Sequence, residues 1–241
     1  MENALYMDDS YLKEFEATVE DVKDGKFVIL NKTAFYPSGG GQPHDTGVMV
    51  CNDEEYPVVY TGKFSGQISH EVGKVGLNAK DKVICKVDWD RRYRLMRMHT
   101  AAHIIDAVLY NKAGALCTGN QLGVEKSRID FSLDSLEREK LQGYIDLAND
   151  FVKKAIDVKI YYMKREEALK IQGIVKLAAV MPPNVEELRI VEIPGIDLQA
   201  DGGTQVRNTS EIGEISLLSF ENKGKANRRM YYTLEKIKSE I

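Results

Sequence analysis

From Tyr11 to Asp90 the chain is cut into short β-branched and aromatic runs, and at Asp90 that pattern stops. The runs are FEATVEDV, KFVILNKT, YPVVYTG and KVICKVDWD, divided by Gly- and Asp-bearing stretches such as KDGK, GKFSGQ and KVGLNAKD. Many short strands joined by tight turns predict a small barrel or a curled sheet. After Asp90, Leu95, Met98, Ala102, Ile105 and Leu109 recur at helical spacing, and Gly114 offers a stop. A second helix is expected from about Ser132 or Asp134 to Ile156. It is followed by a strand at KIYYMKR, a short helix at REEALKIQG, and strands within 188–199 and 211–237. The expected class is α+β. A small β-barrel-like domain spans 1–90, and in 91–241 helices lie on a largely antiparallel sheet.

Composition narrows the class. Hydrophobic residues make up 43% of the 241 and charged residues 29%, which suits a globular chain with a packed core. Cys51, Cys85 and Cys117 form no CxxC pair, so reduced structural thiols are expected. The first twenty residues carry acids where a signal peptide needs bases and an apolar run. No stretch approaches the ~18 apolar residues of a membrane helix, so a cytoplasmic protein is expected. Net charge is −4, from 33 bases and 37 acids, so any contact with nucleic acid must come from local clusters.

Two segments can carry chemistry. His99 and His103 stand at i and i+4, on one face of the expected helix. That spacing suits chelation of a transition metal by neutral imidazoles, and equally suits two histidines on a half-buried face. A further ligand must come from elsewhere, and Asp201-Gly202-Gly203-Thr204-Gln205 is the natural source. Its glycines permit close backbone approach to a ligand, while Asp-Gly by itself reads as an ordinary turn. The stretch from Thr33 to Gly47 holds three consecutive glycines, Gly39, Gly40 and Gly41, followed by Gln42. It is neither a P-loop nor a dinucleotide fingerprint. It reads as a backbone-rich ligand loop or as a connection stiffened by Phe35, Tyr36 and Pro37.

Taken together, TAFYPSGGGQP, MHTAAHII and DLQADGGTQVRNTSEIG resemble the editing domain of alanyl-tRNA synthetase and its free-standing AlaX relatives of medium length. VDWDRRYRLMR, SRIDFSL and NKGKANRRMYY resemble the same family in the same order, from about Tyr11 to about Thr233. The resemblance implies a barrel-like N-terminal domain and an α+β editing domain shared with threonyl-tRNA synthetase. It also implies one zinc ion per chain. The family pattern is two histidines, then Cys-Gly-Gly-Thr-His. Here His99 and His103 match, Asp201 stands at the cysteine position and Gln205 at the last histidine. A carboxylate remains an acceptable zinc ligand, whereas an amide oxygen is a weak one, and loss of the thiolate relaxes discrimination against iron or manganese.

The implied reaction is hydrolysis of the ester on mischarged alanine tRNA, seryl first and glycyl second, with no nucleotide cofactor and no membrane. Thr33 and Gln42 are expected to read the amino-acid side chain, and Gly40 and Gly41 to bind substrate beside them. The Gly202–Gly203 turn is expected to offer backbone N–H groups to the developing oxyanion, and Thr204 to bind substrate. Arg91, Arg92, Arg94 and Arg97, with Lys223, Lys225, Arg228 and Arg229, are expected to meet phosphates. Two other readings stand beside this one. They are a non-catalytic tRNA-binding module with a decayed metal site, and a metallohydrolase of small esters that shares only the scaffold.

Overall fold

The computed structural model describes residues 3–135, 137–171, 173–174 and 184–235. The chain divides into two compact units, 1–95 and 96–241. The division falls inside the first helix rather than at residue 90.

The first unit holds β1 (Glu14–Lys23), β2 (Phe27–Leu30), β3 (Gly47–Cys51), β4 (Glu54–Phe64), β5 (Gln67–Val72) and β6 (Lys82–Val87). They form a closed barrel in the order β1-β2-β5-β4-β3-β6, with β6 pairing back onto β1. Closure leaves no strand edge open. Alternate residues fill the interior. Phe15 lies opposite Cys85, and Cys85 opposite Met49, so three neighbouring strands build one buried layer. Gly47 begins β3 so close to β6 that a Cβ would sit 2.1 Å from the Lys86 carbonyl oxygen. The spacing of apolar runs foretells β1, β2, β4 and β6. It misses β3, which is five residues long, and β5, whose buried members include Ser69 and His70.

His70 is fully enclosed in this unit. Its Nδ1 lies 2.9 Å from the Val28 carbonyl oxygen, which can only accept, so Nδ1 carries the proton. Nε2 then accepts from the Thr33 hydroxyl at 2.9 Å. Burial pushes the His70 pKa down to about 4, against a weaker pull upward from the Val28 bond. Below pH 6.5 the unfolded chain takes up a proton that the folded ring refuses. Stability therefore falls as pH drops from 6.5 toward 4, by up to ~3 kcal/mol, and is unaffected above 6.5. Urea unfolding at pH 7 and pH 4.5 should show this, and His70→Gln should remove the share of the difference that His70 contributes. An equal pH slope in the variant would assign acid sensitivity elsewhere.

The second unit is entered by α1 (Trp89–Ala113). Within it Met96, Met98, Ala101, Ile104, Ile105, Ala107, Val108 and Leu109 are all buried, and so are the polar Arg97, His99, Thr100 and His103, so this part of α1 is enclosed nearly all round. Around it lie β7 (Cys117–Gln121), β8 (Ser127–Phe131), α2 (Arg138–Val152), β9 (Lys159–Lys164), α3 (Arg165–Ala168), β10 (Glu187–Ile193), β11 (Asp197–Ala200), β12 (Ile215–Asn222) and β13 (Arg228–Leu234). Two antiparallel sheets result, β11-β10-β9 and β12-β13-β8-β7. α2 buries Leu141, Ile145, Ala148 and Val152, spaced as one stripe, and packs on β12.

α2 starts later than Ser132 or Asp134, and α3 ends at Ala168, short of the expected REEALKIQG; Gln172 of that segment lies outside the described residues, as do 236–237. β7 and β8 were not foreseen as strands, because CTGNQ has no alternation. Among the described residues no helix is long and apolar enough to cross a membrane.

Candidate active site

α1 delivers His99 and His103 one turn apart, with ring centroids 5.2 Å from each other. Both are buried because the helix that carries them is central. Asp201 follows directly on β11, and Arg189 of β10 fixes its backbone. The Asp201 N–H donates to the Arg189 carbonyl at 3.1 Å, and Arg189 Nη1 donates to the Asp201 carbonyl at 2.8 Å. Ligand-type atoms of His99, His103 and Asp201 all lie within 4.8 Å of one another.

Neighbours set the direction of His103 and of Asp201. Asp197 Oδ2 accepts from His103 Nδ1 at 2.7 Å and from Gln199 Nε2 at 3.0 Å. The proton therefore sits on Nδ1 and leaves His103 Nε2 facing the cluster. Asp201 Oδ2 accepts from the Gly203 N–H and from Gln205 Nε2, each at 2.9 Å. Its Oδ1 lies 3.5 Å from His99 Nε2.

Burial pushes His99 down to about 4, with Asp201 opposing, so its imidazole is neutral at pH 7. For His103 burial acts downward, but the bond and charge of Asp197 and the charge of Asp201 prevail and raise it. Burial would raise Asp201, yet His99, His103 and Arg189 hold its carboxyl well below the usual range. Two imidazole nitrogens and one carboxylate oxygen, with a carboxylate behind one histidine, fit a divalent ion of the catalytic, three-ligand kind. The three cysteines are free and buried, and burial pushes Cys85 up to about 12, so thiolate chemistry has no place here.

Several expected site residues are engaged differently. Gln205 turns its amide nitrogen, not its oxygen, toward the cluster, because Nε2 donates to the Asp201 carboxylate at 2.9 Å, while Oε1 lies 2.8 Å from the Thr100 hydroxyl. The Gly203 N–H is held by Asp201, Gly202 is exposed and Thr204 is fully buried.

In the first unit, Gly39 and Gln42 exchange backbone bonds of 3.1 and 2.9 Å, closing a tight turn. Gly40 and Gly41 occupy its centre at φ 58° and 85°, which explains two of the three glycines without any ligand. Gln42 is buried beside this turn. The Thr33 hydroxyl gives its proton to His70 and accepts from the Phe35 N–H at 3.1 Å, so its donor is already in use.

The expected phosphate contacts need correction. Arg92 is fully buried. Its Nε donates to Asp45 at 2.9 Å, Nη1 to the Ser10 carbonyl at 2.8 Å, and Nη2 to Ala34 and Asp45. Arg97 is buried and donates to the carbonyls of Ile212 and Glu235. Arg228 is buried and donates to Asn222, Gly224, Asn227 and Asp134. Arg229 forms a two-pronged pair with Asp130 at 2.6 and 2.7 Å. A run of basic letters shows charge but not direction, and backbone carbonyls at element ends capture guanidinium groups as readily as phosphate does. Arg91 and Arg94 are half-buried, while Lys223 and Lys225 are exposed.

Sequence reasoning missed Asp197 and Arg189. Asp197 had a signal, since counting back by twos from Asp201 along a strand places Gln199 and Asp197 on one side. Arg189 had none.

Comparisons with known proteins agree in both units. The pattern of tRNA synthetases class II (A) matches residues 4–91, and that of the threonyl and alanyl tRNA synthetase second additional domain matches residues 188–231. An alanyl-tRNA editing protein AlaX-M of Methanosarcina barkeri is 50% identical over 241 residues, covering 97% of this chain and 99% of that protein. Its counterpart in Saccharolobus solfataricus is 51% identical over 238 residues, covering 98% and 100%. The alanine–tRNA ligase of Methanococcus aeolicus is 38% identical over 234 residues, 95% of this chain but 25% of the ligase.

Proposed function

The chain belongs to the AlaX-M family of alanyl-tRNA editing proteins, and from that membership we propose that it is a free-standing hydrolase of mischarged alanine tRNA. The observation that carries the reading is the convergence of His99, His103 and Asp201 in one cluster, with both histidines buried. Serine is the expected cargo and glycine the second. A pocket sized for alanine rejects an added hydroxyl poorly, by roughly 10²-fold, so a second hydrolytic site is needed. The reading places the reaction in the cytoplasm, where tRNA is charged.

His99 Nε2, His103 Nε2 and Asp201 Oδ1 would hold one divalent ion, with zinc the first choice. When bound, such an ion polarises a carbonyl and lowers the pKa of its water to about 7. The chain's own residues do the rest. Asp197 keeps the His103 proton on Nδ1, and Gly203 and Gln205 hold Asp201 Oδ2 so that Oδ1 faces His99. Arg189 anchors Asp201 where it leaves the sheet.

The test is release of serine from seryl-tRNA(Ala), with and without a chelator, against alanyl-tRNA as control. Metal-dependent release of serine, faster than that of alanine, is expected. Metal-loaded protein that releases neither sinks the reading.

Contact with the tRNA body falls to the cations that remain outside. Replacing Lys223 and Lys225 together with Ala should lower the slope of log affinity against log salt by about 1 to 2. Metal content and turnover at saturating tRNA should stay as in the parent. An unchanged slope would remove these lysines from the contact surface.

A further inference from the structure

Along β8 and β13 alternate residues part to opposite sides of the sheet β12-β13-β8-β7. Ile129, Phe131, Met230 and Tyr232 are buried on one side, where the Tyr232 hydroxyl donates to the Met98 carbonyl of α1 at 2.8 Å. On the other side Arg128, Arg229 and Tyr231 stay half-buried. The register sets Arg128 opposite Tyr231, and Asp130 opposite Arg229.

The two arginines differ in their partners. Arg229 grips Asp130 with two bonds of 2.6 and 2.7 Å. Among the described residues Arg128 has no hydrogen bond or ion pair, and its Nε is enclosed without an acceptor. A guanidinium cannot shed its charge to escape that cost. A second cation stands close by, with Lys126 Nζ 5.2 Å from the centre of the Tyr231 ring. The acids Asp130 and Glu221 are held by Arg229 and, at 3.5 Å, by Lys223, so neither offsets Arg128 or Lys126.

We infer that this outer face of the sheet docks the RNA of the substrate, with Arg128 and Lys126 meeting phosphates and Tyr231 stacking on an unpaired base. The inference rests on the hydrolase reading and names a surface by which its tRNA is held. A planar guanidinium fork matches a phosphate group, and an aromatic ring flanked by cations suits a nucleotide strand, which brings a flat base and a phosphate together. An acidic peptide would use the charges and leave the ring without a role. The turn that carries Lys223 and Lys225 ends at Arg228, three residues from Tyr231 and about 10 Å along the strand, so turn and face can hold one strand of RNA. α1 meets the opposite side of this sheet through Tyr232. The face therefore acts on affinity and not on the reacting ester.

Binding of uncharged alanine tRNA against salt tests the face apart from catalysis. Arg128→Met should lower the slope of log affinity against log salt by about 1. Its thermal midpoint should equal or exceed the parent's, because no bond is lost. Lys126→Ala, at an exposed position, should also lower the slope by about 1, and it decides the matter should Arg128→Met not fold. Tyr231→Leu keeps apolar bulk without the aromatic ring and should weaken binding about tenfold with the slope unaltered, whereas Tyr231→Phe should bind as the parent does. In release of serine these variants should raise KM and leave kcat unchanged. A parental slope in Arg128→Met or Lys126→Ala, or parental affinity in Tyr231→Leu, overturns the inference. Binding that weakens as expected in a protein that never releases serine would defeat the hydrolase reading alone.

Discussion

His103→Ala should abolish hydrolysis of seryl-tRNA, with metal affinity falling on the order of 10²-fold or more. In the proposed site His103 is one of three ligands, and its loss would leave only His99 and Asp201 to hold an ion. The cavity left in α1 costs some stability, so metal content and thermal unfolding are measured together, with His103→Gln as the variant closer in volume. A graded version acts one residue behind. Asp197→Asn keeps an acceptor for His103 Nδ1 but removes the charge, and should weaken metal binding by about 10- to 100-fold. Full metal stoichiometry and parental hydrolysis in His103→Ala would refute the site.

The second large effect is on stability. Arg92→Met should cost the barrel unit about 3 to 5 kcal/mol, because it strands the Asp45 carboxylate in a site closed to water. Arg92 joins three segments distant in sequence: Ser10 before β1, Ala34 after β2, and Asp45 beyond the glycine turn. Asp45 also accepts from the Tyr36 N–H at 2.6 Å, so the pair fixes both approaches to that turn. Arg92→Met with Asp45→Leu removes both charges and should recover much of the loss, since replacing both partners of a buried pair is far milder than replacing one. If Arg92→Met unfolds at the parental urea concentration, the pair is not holding the unit together.

Helix and strand identity was legible wherever one periodic face meets one core. β1 alternates and reads as a strand, and α2 carries its apolar stripe at helical spacing. β5 and β7 were opaque because their partners, not their own alternation, make them strands. The same division runs through the site. His99 and His103 declare themselves by spacing, because a helix converts i and i+4 into neighbours without help from the rest of the chain. Asp201 was reached through a motif.

What the sequence determined by itself was local: the elements with a periodic face, the class, the histidine pair and the family. What only the tertiary structure decided was direction. It decided that Gln205 offers nitrogen and not oxygen, and that Arg92, Arg97 and Arg228 point inward. It also decided that Asp197 stands behind His103 and Arg189 beneath Asp201. The physical reason is that a polar side chain is oriented by whichever buried partner would otherwise be left unsatisfied, and those partners lie 47 residues away for Arg92 and Asp45 and 105 for Thr100 and Gln205.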